Sequence, residues 1–290
     1  MTRHANLETV FVVVPLEAVP AYETALAASC TAVGTFFEDE EAGIWRVEGV
    51  RPVGDNAQLL AGLAMAELAT GVSAPLQRLD TDEDGWLARV YEGFPEQPIG
   101  RRFSVRGTHI AEPLIPGRIT LMLDAGLAFG SGEHGSTRGC LRALEQVAYR
   151  RPARILDMGC GSGILAMGAV QLLHRRALAV DIDPWSVAVT KQNAKLNRLG
   201  GRIDARRGNG WQAGIVRRRS FDLVFANILA RPLCLMAKHL AAHLAPGGTV
   251  ILAGLLTTQV RMVLAAHRRQ GLRLEQALYE GNWTTLVLRK

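Results

Sequence analysis

The 290-residue sequence predicts an α/β fold, an open and mostly parallel seven-stranded sheet with helices on both faces, behind a smaller α+β module. Three observations carry this expectation. From Arg154 onward, short apolar runs alternate with helix-like segments. The first run turns through Asp157-Met158-Gly159-Cys160-Gly161-Ser162-Gly163 into a helix-like stretch, and Asp181 ends the next one. The first eighty residues read instead as β-α-β-β-α-β.

In that opening module, Leu7 to Val14 is a β-branched run suited to a strand. Val19 to Ser29 is alanine-rich and helix-like. Thr31 to Phe37 and Ile44 to Val50 read as strands, parted by Glu38-Asp39-Glu40-Glu41 and Gly43. Asp55 is the expected N-cap of a helix running to about Ala69 and ended by Gly71. Leu76 to Leu79 closes the module. This order is that of a ferredoxin-like unit over residues 1–80. Residues 81–117 hold few helical signals and carry Pro95, Pro98, Pro113 and Pro116, so they are expected to be a linker. The second domain is expected over 118–290.

Within it, strands are expected near 154–157, 177–181, 202–206, 221–226, 249–254, 272–280 and 283–288. Helices are expected near 137–149, 164–174, 185–199, 230–243 and 257–270. Asp183-Pro184 is a helix opening, with proline in the first turn. Pro246-Gly247-Gly248 is expected to break the chain before the next strand. The last two strands read as a hairpin.

The glycine turn points to a ligand. A strand that turns through glycines into a helix brings backbone N–H groups and the positive helix end close to a bound molecule. A carboxylate at Asp181 can accept hydrogen bonds from two ribose hydroxyls, the layout of an adenosine-containing cofactor. A dinucleotide fingerprint requires its third glycine three places after the second. That place is Ile164, and the third glycine comes one residue early, at Gly163.

This tighter spacing, led by an aspartate, resembles motif I of the class I S-adenosylmethionine-dependent methyltransferases. Two further segments sharpen the resemblance. Upstream lies Asp124-Ala125-Gly126-Leu127-Ala128-Phe129-Gly130-Ser131-Gly132-Glu133-His134-Gly135-Ser136-Thr137, and downstream Phe221 to Ala226 leads into Asn227-Ile228-Leu229-Ala230. With these, the chain resembles the ribosomal protein L11 methyltransferases, the PrmA family, from about Asp124 to the C-terminus. Ala125 stands where the commoner family pattern has proline, and Glu133, Gly135 and Ser136 replace threonine, proline and threonine. Thr137 keeps the last threonine. The resemblance implies methyl transfer from S-adenosylmethionine to amino groups of a large-subunit ribosomal protein. It also implies that the N-terminal module recognises that protein.

Composition adds bounds. No apolar stretch approaches the ~20 residues of a membrane span, and the N-terminus carries no basic-then-apolar signal segment. The four cysteines are widely spaced, without metal-like pairs, as expected of a reducing cytoplasm. The net charge of +6 is uneven: residues 1–85 hold 4 Lys+Arg against 14 Asp+Glu, a balance of −10, and the remainder holds 29 against 13, or +16. An acidic module would attract a lysine-rich ribosomal protein at long range, although ordinary solvated faces explain the same counts. The basic half is an opening for RNA contact, but its arginines are scattered along the sequence and not interleaved with aromatics.

The candidate cofactor-binding residues are Thr137, Gly159, Gly161, Asp181 and Asn227. Gly159 and Gly161 allow close backbone approach. Asn227 ends a strand at the carboxyl edge, where its carbonyl can accept from an amine or meet the methionine part of the donor. The plainer alternative is a turn that caps the next helix. Thr137 resembles the family threonine that contacts the cofactor, with a helix N-cap as the alternative. Asp157 is expected to order the loop or to meet the methionine ammonium through water. Phe129 is a candidate adenine lid or core residue, and Asp183 reads as a helix cap. Glu133 and His134 are weak as a base or metal pair, and Cys160 reads as a small filler. Trp45 and Trp86 are expected to be packing residues, with an aromatic surface that grips a peptide as the alternative. Methylation of RNA or of a small amine, and a non-catalytic or NAD-binding α/β protein, are the competing functions.

Overall fold

A computed structural model describes residues 7–30, 32–39, 43–80, 96–123 and 135–290, in two units, Met1–Arg89 and Val90–Lys290. Phe129, Glu133, His134 and Trp86 lie outside the described residues.

In the first unit the β-branched run forms β1 (Leu7–Pro15), followed by α1 (Val19–Ala27), β2 (Ala32–Asp39), β3 (Ile44–Pro52), α2 (Ala57–Thr70) and β4 (Gln77–Asp80). The strands pair antiparallel in the order β2-β3-β1-β4, which is the ferredoxin-like arrangement. Val10, Val12 and Val14 alternate inward from β1 and meet Tyr22 and Leu26 of α1 and Leu59 and Leu63 of α2. Each such side chain, fully buried, stabilises by roughly 1.5–3 kcal/mol. Trp45 packs, half-buried, against this core. The α2 N-cap is Asn56 and not Asp55, because Asp55 sits one place earlier and accepts from the Ala57 N–H at 3.0 Å. Gly71 ends α2 in the left-handed conformation, as expected. Leu60, Met65 and Leu68 of α2 stand exposed beside the exposed Glu67.

The second unit begins with strands inside the expected linker. β5 (Gln97–Ile99) and β6 (Phe103–Gly107) join β7 (Ile119–Leu123) in a three-stranded sheet. Pro98 is tolerated because β5 is an edge strand. Arg106, buried at the centre, is held by Glu96 at 3.2 Å and by the carbonyls of Ile110 and Glu112 at 2.7 and 2.8 Å. Such a charge is tolerated in the interior only when paired in this way.

The main sheet follows the expected alternation. Its elements are α3 (Gly135–Val147), β8 (Ile155–Met158), α4 (Ile164–Leu173), β9 (Ala177–Asp181), α5 (Pro184–Leu196), β10 (Ile203–Arg207), β11 (Phe221–Asn227), α6 (Ala230–His243), β12 (Leu244–Leu256), α7 (Val260–Arg268), β13 (Arg273–Glu280) and β14 (Trp283–Arg289). Strand order is β10-β9-β8-β11-β12-β14-β13, in which β14 alone runs antiparallel to the others. Successive residues of a strand face opposite layers. Ile155, Leu223 and Phe225 therefore share one core with α3, α4 and α5, while Leu156, Val224 and Ala226 share another with α6 and α7.

Pro246-Gly247-Gly248 does not break the chain before a strand. β12 already begins at Leu244, and pairing with β11 jumps from Phe221↔Leu244 to Leu223↔Thr249, so the tripeptide is an irregularity within the strand. A bulge accommodates glycine and proline where regular pairing would not.

Candidate functional site

Strand order reverses between β8 and β11, since the chain winds outward through β9 and β10 and then returns to the other side of β8. Helices on either side of such a reversal diverge and leave a crevice at the carboxyl ends of the strands. Register places the candidate residues on one rung there. Met158 pairs with Val180 and Ala226 pairs with Met158, so the next position on the three strands is Asp181, Gly159 and Asn227.

The glycine loop is tied down by its neighbours. Gly159 and Cys160 donate to the Val180 carbonyl at 2.8 and 3.2 Å, and Gly163 donates to the Cys160 carbonyl at 2.7 Å. Gly159, Gly161 and Gly163 have φ of 72°, 51° and 78°, the left-handed region that side chains other than glycine rarely occupy. At Gly159 the constraint is doubled, because a Cβ would stand 2.4 Å from Ile228 Cγ2. Helix α5 holds the far side: Thr190 donates to the Gly161 carbonyl at 2.8 Å, and Asn193 donates to the Ser162 carbonyl at 3.0 Å. Neither residue was singled out from the sequence. Their four-residue-or-less spacing on one helix face was the available signal.

Asp181 is fixed by two backbone donors, Gly161 N–H to Oδ2 and Asp183 N–H to Oδ1, each at 3.0 Å. A carboxylate oxygen accepts two hydrogen bonds, so each retains a lone pair for a further donor. Exposed Ile182 and Trp185 stand beside it in sequence. Asp183 caps α5, accepting from Trp185 N–H, Ser186 N–H and the Ser186 hydroxyl at 3.1, 2.9 and 2.8 Å. The backbone N–H of Ser186 is the main reason its acidity is strengthened.

Asp157, at the end of β8, is fully buried. Its Oδ2 accepts from Ala166 N–H at 2.9 Å in the first turn of α4, while Oδ1 has no hydrogen-bond partner among the described residues. Burial pushes its carboxyl up to about 7, against the lowering effect of that hydrogen bond, and nearby Asp181 raises it further. Burial likewise raises the Cys160 thiol, which contacts the Thr190 hydroxyl at 3.3 Å, so this sulfur is a filler and not a thiolate.

Thr137 is buried in the first turn of α3, and Asn227 Nδ2 approaches its hydroxyl at 3.5 Å. Thr137 is the third residue of α3, inside the helix. Asn227 does not cap α6, whose N-cap is Leu229 with no side-chain hydrogen bond. The five candidate residues thus gather at the carboxyl edge of the sheet, contributed by α3, the β8–α4 loop, β9 and β11.

Comparison with known proteins supplies a context for this geometry. The profile of the ribosomal protein L11 methyltransferase (PrmA) family matches residues 34–290. A ribosomal protein L11 methyltransferase of Sinorhizobium fredii is 40% identical over 261 residues, covering 89% of this chain and 89% of that one. One from Bradyrhizobium diazoefficiens is 45% identical over 207 residues, covering 71% and 70%. The crystal structure of a ribosomal protein L11 methylase from Lactobacillus delbrueckii subsp. bulgaricus superposes with a TM-score of 0.60 at 30% identity, over 67% of this chain and 98% of that one.

Proposed function

The chain belongs to the ribosomal protein L11 methyltransferase (PrmA) family, whose members are S-adenosylmethionine-dependent protein methyltransferases, and we propose that it methylates amino groups of ribosomal protein L11. The acceptors are lysine side chains, the N-terminal amine, or both. The observation that carries this reading is the single rung of Asp181, Gly159 and Asn227 at the point where strand order reverses.

S-adenosylmethionine, when bound, supplies a methyl group already activated by a positive sulfur. The residues present fit such a donor. Asp181 offers one free lone pair on each oxygen to the two ribose hydroxyls, in a rotamer that Gly161 and Asp183 have already set. Gly159 and Gly161 present backbone where a side chain would obstruct. Asp157 Oδ1, without a partner among the described residues, would hold the methionine ammonium through water, and a cation there would favour the ionised carboxylate that burial disfavours. Thr137 and Asn227, which approach each other, would hold its amino-acid end.

The acceptor must arrive without its proton. Removing the proton from a lysine with a pKa near 10.4 at pH ~7.4 costs about 4 kcal/mol. The chain's own contribution is a partly apolar crevice that disfavours the ammonium form, together with acceptors that orient the neutral amine. The Asn227 carbonyl is one such acceptor and the Ile228 carbonyl a second. Alignment of amine and methyl then supplies several kcal/mol of the barrier reduction.

Residues 1–80 act as the substrate-recognition domain in this reading, and 118–290 as the catalytic domain. The −10 balance of residues 1–85 and the exposed Leu60, Met65 and Leu68 suit a basic protein partner with apolar anchors. Among the described residues no helix is long and apolar enough to cross a membrane. The cytoplasm, where ribosomal proteins are made, is the compartment this substrate requires.

Intact-mass spectrometry of purified L11 after incubation with the full chain and isotopically labelled S-adenosylmethionine tests the proposal. Mass increments in whole methyl units are expected. Label found only in RNA from a ribosomal extract would refute protein methylation.

A further inference from the structure

The opposite edge of the main sheet carries an uneven charge that methyl transfer does not use. One rung of pairs runs across it: Ile203↔Ala177, Ala177↔Ile155, Ile155↔Leu223, Leu223↔Thr249, Thr249↔Arg289 and Arg289↔Arg273. Six of the seven strands place an arginine at or just outside this rung. Arg202, Arg176 and Arg154 directly precede β10, β9 and β8, and Arg219 stands two residues before β11. Arg289 ends β14, and Arg273 opens β13. The irregular strand β12 contributes Gly247 and Gly248 instead. At about 4.8 Å between strands, the row spans the width of the sheet.

The carboxylates near this rung are already engaged. Asp222 is bound by the Arg154 guanidinium at 2.6 Å, Glu275 by Arg150 at 2.8 Å and Arg289 at 3.5 Å, and Asp204 by Arg206 at 2.6 Å. Arg151, Arg175, Arg217 and Arg218 are exposed, and no ion pair occupies them among the described residues. A cleft of about 230 Å³ lies between Arg150, Arg151, Asp222 and the Gly247-Gly248 backbone. Next to Arg150 in sequence, Tyr149 is 74% exposed, with the Arg150 guanidinium over its ring at 5.3 Å.

We propose that this amino-end edge is a docking surface for the phosphate backbone of structured RNA, with Tyr149 stacking an unpaired base. A row of cations, most of them without an ion pair among the described residues, matches a linear polyanion better than a single phosphate. The cations are overwhelmingly arginine: the chain holds only four lysines among its 33 basic residues. Arginine's planar fork suits phosphate and nucleic-acid recognition, and an exposed aromatic beside such a groove is the usual partner of a splayed base. The surface lies at the opposite ends of the strands from the glycine loop, so RNA held there leaves the crevice free. RNA as the natural polyanion rests on the ribosomal substrate proposed above, but its binding is measured without any methyl transfer.

The test uses the full chain and a fluorescently labelled RNA hairpin of about twenty nucleotides with an unpaired loop, followed by anisotropy across a range of KCl concentrations. Wild-type affinity should fall steeply with salt. The variant Arg151→Gln/Arg217→Gln/Arg218→Gln should bind at least about tenfold more weakly at low salt, with a log–log salt slope shallower by about 2–3. Tyr149→Ala should weaken the hairpin by about tenfold and a loop-free duplex little. All variants should methylate free L11 at the wild-type rate, which also reports that they fold. Equal RNA affinity of the triple variant, or tighter binding to phosphatidylglycerol vesicles than to the hairpin, would overturn the proposal.

Discussion

The two edges of the main sheet are built from opposite materials. Where the strands end, backbone and short side chains dominate: three glycines with positive φ, a carboxylate held by two N–H groups, an asparagine and a threonine. Where they begin, long arginines stand outside nearly every strand. One edge is shaped for a small molecule that the backbone must approach closely. The other is shaped for charge, where geometry matters little. Substitution should therefore be costly at the first edge and mild at the second, except where a polyanion is the ligand.

The largest expected effect concerns the buried carboxylate beneath the glycine loop. Asp157 ionises near pH 7 in the folded chain and near 4 when unfolded. Between those values the folded chain holds a proton that the unfolded chain has lost, so stability declines as pH rises from about 4 to about 7. The shift corresponds to up to about 4 kcal/mol. Asp157→Asn should flatten that decline in denaturant melts taken from pH 5 to 8. An unchanged slope would mean that Asp157 stays ionised throughout.

Gly159→Val comes next, combining a left-handed backbone with a Cβ 2.4 Å from Ile228 Cγ2. Calorimetric titration should show S-adenosylmethionine binding weakened by about a hundredfold or more, from strain of a few kcal/mol. Asp181→Ala removes two charge-assisted hydrogen bonds to ribose and should cost about tenfold to a hundredfold in the same titration, with the chain still folded by circular dichroism. Unchanged affinity would remove the ribose role. Asn227→Ala should lower kcat about tenfold or more and leave KM for L11 nearly constant; a normal rate would make it a packing residue. Smallest of all, Arg154→Ala at the opposite edge should leave cofactor affinity untouched and melting little changed, since its ion pair with Asp222 is solvent-exposed. A large loss of cofactor affinity there would erase the contrast between the edges.

The same contrast explains what was legible in the sequence. The carboxyl edge is assembled from short local motifs, so the meeting of Gly159, Gly161, Asp181 and Asn227 there was readable from spacing and strand ends. Periodicity likewise placed the helices and strands of the main sheet to within a few residues. The arginine edge joins positions from Arg150 to Arg289 that only strand register brings together, and along the chain they looked scattered. Strands β5 and β6 were missed because prolines around them read as linker, although Phe103, Val105, Leu121 and Leu123 are all buried. The irregularity at Pro246-Gly247-Gly248 was misread because turn residues and bulge residues are the same types. Thr190 and Asn193 share one face of α5, but that spacing alone does not say which distant loop the face braces.

The most direct measurement is a crystal structure of the full chain with S-adenosylhomocysteine. The ribose hydroxyls should lie about 3 Å from both oxygens of Asp181, with Gly159 and Gly161 beneath the ligand and Thr137 and Asn227 beside its amino-acid end. A ligand bound elsewhere, or a ribose that leaves Asp181 unengaged, would contradict the assignment of the carboxyl edge.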